Sequence, residues 1–237
     1  MKKRVIALDT ETTGFRTNAA ILSFYAVEFD METGICGKAL ELNFNPGFPI
    51  DAKITEITGI TNEMAKAHPL MSEEHAQQIA DFLKDAEVWI HNQSFDERII
   101  SYHLARFNQK PLRQIANLHC SLRVAKDNNH IKATLNDICM HFDIDLSGRS
   151  KHGAKVDTLL LIEVVVKMKS SGYRGFTETS PSIHQISQTK SPKSEYPVEA
   201  KCQKCDEPFQ KKGAWQLKCF PCWKAANNSK DLLQFAK

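Results

Sequence analysis

Residues 5–15 read VIALDTETTGF. The apolar run Val5–Leu8 has the near-continuous hydrophobicity of a strand covered on both faces. It runs into Asp9, Thr10 and Glu11, and Thr12, Thr13 and Gly14 then read as a turn. Alternation along a strand puts Asp9 and Glu11 on the same face. The C-terminal end of a strand is where open α/β sheets gather their ligands. Two carboxylates a few ångströms apart repel, and one tends to keep its proton unless a cation intervenes. Hard oxygen donors suit Mg²⁺ or Mn²⁺. Taken alone, the pair reads as Asp9 capping a turn and Glu11 pointing into water, and the rest of the chain has to argue otherwise.

Working outward, the chain alternates strand and helix patterns as far as Lys169, the signature of an α/β domain. Residues 20–30 (AILSFYAVEFD) and 37–45 (GKALELNFN) read as two strands, antiparallel neighbours. Residues 72–85 open on Ser72, a good N-cap, and place Ile79, Phe82 and Leu83 on one helical face. A short strand (AEVWIHN, 86–92) leads into a helix (SFDERIISYHLARF, 94–107). A second short helix starts at Thr134, and 155–169 (KVDTLLLIEVVVKMK) is apolar on most sides, so it should pack deeply.

From Ser170 the composition turns to Ser, Thr, Pro and Gln, too poor in apolar surface to offset its ordering entropy. This gives three regions: a domain over 1–169, a flexible linker over 170–198 and a small C-terminal module over 199–237. The net charge of +3 does not by itself indicate nucleic acid. The last region is locally basic, with eight lysines against four acids. No stretch approaches the ~20 apolar residues of a membrane span, and no apolar signal core follows the basic start. The expected location is therefore cytoplasmic, with thiols reduced. Cys36, Cys120 and Cys139, each among apolar neighbours, read as small core residues.

Two further segments bear on the acidic pair. Asp96 falls in the first turn of a helix, directly after the strand VWIHN. In KHGAKVD, His152 lies beside Gly153 on a loop, five residues before Asp157 at the entrance of the last helix. Singly, each acid is a helix-start residue favoured by the macrodipole, and His152 is a surface histidine. Together, ALDTETTGF, IHNQSFD and HGAKVD resemble the three motifs of the DEDDh 3′–5′ exonucleases, the DnaQ-like group to which the proofreading epsilon subunits of bacterial DNA polymerase III, oligoribonuclease and RNase T belong. The likeness covers 4–168 and includes TEITGITNEMAKAHP between the first two motifs. Two positions depart from the family pattern: Ser23, where an acid is common, and Thr58-Gly59-Ile60, where His-Gly-Ile is common.

The resemblance implies an RNase H-like mixed β-sheet flanked by helices. It also implies that Asp9, Glu11, Asp96 and Asp157 hold two Mg²⁺ or Mn²⁺ ions, a pair that in such sites lies about 3.5–4 Å apart. Asp9 would bridge them, Glu11 and Asp157 complete the nucleophile side, and Asp96 serve the other ion. His152, with an ordinary pKa of about 6.5, would take the proton of the attacking water. Thr10, Thr12, Thr13 and Gly14 would meet the terminal nucleotide, Asn92 and Phe95 line the site, and Ile60 wedge against the last base. Phe15, Phe95 and Ile60 are equally compatible with ordinary core positions.

In the tail, Cys202-x2-Cys205 and Cys219-x2-Cys222 are separated by thirteen residues. Paired CxxC knuckles of this kind read as one four-thiolate structural Zn²⁺ site, a zinc ribbon. About forty residues need such a staple to fold. The aromatic residues and lysines around it suit either nucleic-acid stacking or docking to a replication or repair protein. The leading expectation is an exonuclease acting on single-stranded DNA ends, with no membrane association. RNA is the alternative substrate, since only contacts at the 2′ position separate the two polymers. A non-catalytic nucleic-acid-binding protein on the same fold is the alternative of another class.

Overall fold

The computed structural model describes residues 3–149 and 151–176, together with the backbone of 198–201 and 208–211. The chain divides into two compact units, 1–180 and 181–237.

In the first unit, β1 (Val5–Thr12), β2 (Ile21–Phe29) and β3 (Cys36–Asn43) form an antiparallel meander. Then come α1 (Ala52–Thr58), α2 (Asn62–Lys66), α3 (Glu73–Leu83), β4 (Glu87–Ile90), α4 (Gln93–Arg106), α5 (Leu112–Ile115), β5 (Asn117–Cys120), α6 (Ser121–Asp127), α7 (Leu135–His141) and α8 (Ala154–Ser170). β4 and β5 add in parallel beside β1, so the sheet order is β3-β2-β1-β4-β5. This is the mixed, helix-flanked sheet of the RNase H-like exonuclease fold.

The alternation of β1 divides the core. Ile6 and Leu8 pack against α3 and α4, with Ile79, Leu83, Ile99, Ile100 and Leu104. Ala7 faces α7 and α8, with Ile138, Leu161, Val164 and Val165. Both faces of β1 are covered, which accounts for its unbroken apolar run. Local chemistry sets the helix starts. Ser72 caps α3 by accepting from the His75 backbone N–H, and Thr134 caps α7 through a reciprocal box with Asp137.

The stretch 112–127, which lies outside the strand and helix patterns read above, holds α5, the four-residue strand β5 and α6. One of the three cysteines departs from the expected core position. Cys139 is buried and Cys120 partly so, but Cys36 is exposed, because it begins β3, an edge strand with an open outer side. No helix among the described residues is long and apolar enough to cross a membrane.

In the second unit, β6 (Val198–Lys201) pairs antiparallel with β7 (Pro208–Lys211). Cys202, Cys205, Cys219 and Cys222, expected to bind zinc, lie outside the described residues.

Candidate active site

The pairing of β1 opens a gap at its C-terminal end. Against β4 the register stops at Leu8↔Ile90, whereas against β2 it continues through Asp9↔Tyr25 and Glu11↔Ser23 to Thr12↔Ile21. Asp9–Thr12 therefore project beyond β4 with one side free of a neighbouring strand. After β4 the chain turns at Asn92, whose φ of 56° is left-handed, a conformation that asparagine tolerates. The turn starts α4 with Asp96 in its first turn. Asp96 approaches from the α3–α4 side of the sheet and accepts a 2.6 Å hydrogen bond from Thr10 Oγ1. Asp9 and Glu11 face the α8 side, where Asp157 stands in the first turn of α8. The acids from both faces meet around the free edge that β4 leaves.

Their electrostatics record this convergence. Burial, then repulsion from Asp96, Glu11 and Asp157, pushes the Asp9 carboxyl well above its ordinary range. Burial, then Asp157 and Asp96, pushes Glu11 to about 8. Asp96 rises to about 7 through burial, against hydrogen bonds from Thr10 that favour its charged form. Ligand atoms of Glu11, His152 and Asp157 lie within 4.8 Å of one another, close enough to hold one cation. The donors are carboxylate oxygens and one imidazole, and their mutual repulsion is the deficit that a divalent cation removes. The residues fit a divalent metal of the hard type.

His152 lies on the rim, with half its side chain exposed and Nδ1 3.1 Å from Asp157 Oδ2. Its backbone N–H donates to Ile57 O at 3.2 Å, which ties the histidine loop to α1. The corner after α1 brings Ile60 to the same neighbourhood. Gly59 there has φ +77°, and a Cβ on it would come within 3.0 Å of Lys151 Cδ. The glycine thus permits both the left-handed cap and the close approach of the loop.

The other expected substrate contacts are placed unevenly. Thr12 is buried and donates to Gly14 O at 2.8 Å, and Thr13 N–H donates to Ala20 O at 2.9 Å, so the turn is held rigid. Thr10 is 5% exposed, and its hydroxyl is engaged with the Asp96 carboxylate. Asn92 is exposed and makes no side-chain cap. Phe95 is half-buried against the core, with its ring centroid 6.1 Å from that of Phe15. Phe15 is 73% exposed and is not a core residue. Ile60 packs partly against Leu22, Ile50 and Ala65.

Two residues in the site had no expected role. His91, at the end of β4, bonds Ser121 Oγ through Nδ1 at 2.9 Å, and burial lowers its pKa to about 4. Arg149 grips Asp157 with both arms, Nε and a terminal nitrogen each 2.6 Å from a carboxylate oxygen. That terminal nitrogen is also 2.8 Å from His152 Nδ1. The only signal for Arg149 was its place three residues before His152, in a polar loop where a solvated arginine is unremarkable.

The exonuclease (RNase T) family model matches residues 6–165. The chain belongs to this family. The exonuclease is 31% identical over 188 residues to the DNA polymerase III subunit epsilon of Pasteurella multocida, covering 76% of this chain and 74% of that one. It is 30% identical over 187 residues to the epsilon subunit of Rickettsia felis, covering 76% and 80%. Among solved structures, the fold resembles exonuclease X in complex with 5′ overhanging duplex DNA, with TM-score 0.54, 19% identity, and coverage of 71% and 93%. It also resembles the zinc-bound E. coli exonuclease I–single-stranded DNA complex, with TM-score 0.64, 18% identity, and coverage of 72% of this exonuclease and 41% of that chain.

Proposed function

We propose that this exonuclease removes nucleotides from the 3′ end of single-stranded DNA in the cytoplasm, as a proofreading or repair activity working beside a DNA polymerase. The observation that carries the reading is the convergence of Asp9, Glu11, Asp96 and Asp157, from three distant segments, into one acidic cluster with His152 on its rim. The epsilon-subunit relatives support DNA as substrate and a replication complex as partner.

In this reading Asp9, Glu11, Asp96 and Asp157 hold two Mg²⁺ or Mn²⁺ ions. Such ions lower the pKa of a bound water and offset charge on the leaving oxygen. Thr10 fixes the Asp96 carboxylate through its hydroxyl. His152, half-exposed at its side chain, accepts a proton from the attacking water. The rigid Thr12–Gly14 turn offers backbone groups to the terminal nucleotide, and Asn92, Phe95 and Ile60 line its approach. The exposed Phe15 adds an aromatic surface on which a base can stack. The C-terminal cysteines form a zinc ribbon that docks nucleic acid or a partner protein.

The test is digestion of single-stranded DNA and matched RNA, labelled at either end, with and without chelator. Loss of the 3′ label first as mononucleotide, abolished by chelator and by Asp9→Asn, is the expected result. Preferential digestion of RNA would move the substrate to RNA, and no hydrolysis of either polymer with Mg²⁺ or Mn²⁺ would overturn the reading.

A further inference from the structure

Arg149 is 7% exposed at its side chain and makes all but one of its polar contacts inside the acidic site. Its fork takes both oxygens of Asp157, it reaches His152 Nδ1, and its remaining terminal nitrogen donates to Asn136 Oδ1 on α7. We infer that Arg149 is a built-in counter-cation, holding Asp157 while no divalent ion is bound and competing with the ion for that carboxylate. This rests on the reading of the acids as an ion site.

Three features of the geometry carry it. A two-armed arginine–carboxylate pair is the arrangement in which a guanidinium holds a carboxylate most firmly. An ion held by Glu11, His152 and Asp157, whose ligand atoms lie within 4.8 Å of one another, would stand within a few ångströms of the guanidinium, and the two cations repel. Guanidinium only donates, so in the tautomer whose Nδ1 accepts, the contact to His152 occupies that lone pair and the 3.1 Å approach of Nδ1 to Asp157 is no hydrogen bond. The same side chain therefore restrains one proposed metal ligand and the proposed base. When an ion takes Asp157, both are released together, whereas in the ion-free site Asn136 on the exposed side of α7 helps to hold the arginine in place. Arg149 is in this sense a positioning residue: it acts through Asp157 and His152.

Competition makes a prediction opposite to that of simple support. An arginine beside a carboxylate lowers its affinity for a proton by about one to three powers of ten, and the same reasoning gives Arg149→Gln at least about tenfold tighter Mn²⁺ binding. Binding is read on the full chain by titration calorimetry or from the EPR signal of free Mn²⁺, with Asp9→Asn as the background. Asn136→Ala, a change at an exposed position that leaves the acids untouched, should shift affinity the same way by less. The rise in Tm from EDTA to Mn²⁺ should be larger in Arg149→Gln than in the unaltered chain, because its ion-free form has lost the counter-cation. Unchanged or weaker Mn²⁺ affinity in Arg149→Gln, with binding intact in the unaltered chain, overturns the counter-cation alone. Absence of Mn²⁺ binding in the unaltered chain overturns the ion site and this inference with it.

Discussion

The two ends of the β1–β4 strand pair treat the same kind of side chain in opposite ways. At the N-terminal end, Glu87 begins β4 opposite Val5. Burial there works to raise its carboxyl, but hydrogen bonds from Lys3, His119 and Asn117 outweigh it and leave the group below the ordinary glutamate range. At the C-terminal end, Glu11 is pushed up to about 8 and Asp96 to about 7. Glu87 is met by three donors from two segments, Lys3 and the β5 residues Asn117 and His119. The acids at the other end meet chiefly one another, with Arg149 set against them. An acid with its partners built in is part of the scaffold. Acids gathered without enough of them are unstable as they stand, and what relieves them has to come from solution.

The sharpest way to break this contrast is to neutralise one acid at each end. Asp9→Asn should lower hydrolysis by roughly a thousandfold, equivalent to about 4 kcal/mol of transition-state stabilisation, with Tm in EDTA unchanged or raised because repulsion is relieved. Chain-end assays and melting curves on one preparation check both halves, and a large fall in Tm would mean Asp9 is scaffold. Asp9 serves this test better than Asp157, whose removal strands the buried Arg149.

Next in size is His152→Ala, expected to slow hydrolysis by about 10²–10⁴-fold if the histidine is the general base. Its closeness to Glu11 and Asp157 also suits a ligand role. Mn²⁺ affinity separates the two: it persists for a base and falls for a ligand.

The pH dependence of stability tests the comparison without substrate. A carboxyl that titrates higher in the folded chain than in the unfolded chain favours folding at low pH and opposes it as pH rises. For Glu11 that window runs from the ordinary 4.5 to about 8. In EDTA the melting temperature should fall across it, and saturating Mg²⁺ should flatten the decline. A curve flat in EDTA would show that the acids are already relieved.

The smallest effect is at the other end. Glu87→Gln should cost about 1 kcal/mol or less by denaturant titration, because Lys3 is a largely solvated partner and His119 a partly exposed one. Nuclease activity should not change. A loss of activity there would dissolve the distinction between the two ends.

Much of this was open to a reader of the sequence. The acids at 9 and 11 follow a run that reads as a doubly covered strand, Asp96 and Asp157 fall in the first turns of helices, and His152 sits beside a glycine. Thr134 and Ser72 announced their helices because capping is local chemistry. β5 gave no signal because a four-residue strand at a sheet edge is too short for periodicity to register. Cys36 was misplaced because an apolar neighbourhood in sequence does not say which strand will form the edge. Thr10 looked like one of four hydroxyl- or glycine-bearing neighbours, and only the approach of α4 gives it Asp96 as a partner.

Sequence alone determined that acids stand at the end of a strand and in the first turns of two helices, since residue type, alternation and caps are properties of neighbours along the chain. The tertiary structure alone decided that β4 stops at Ile90 while β1 runs on to Thr12, so that acids from opposite faces of the sheet meet around one free edge. It alone also decided that Arg149 turns inward onto Asp157. Charges interact through space, and the distances that fix their energies exist only once the chain has folded.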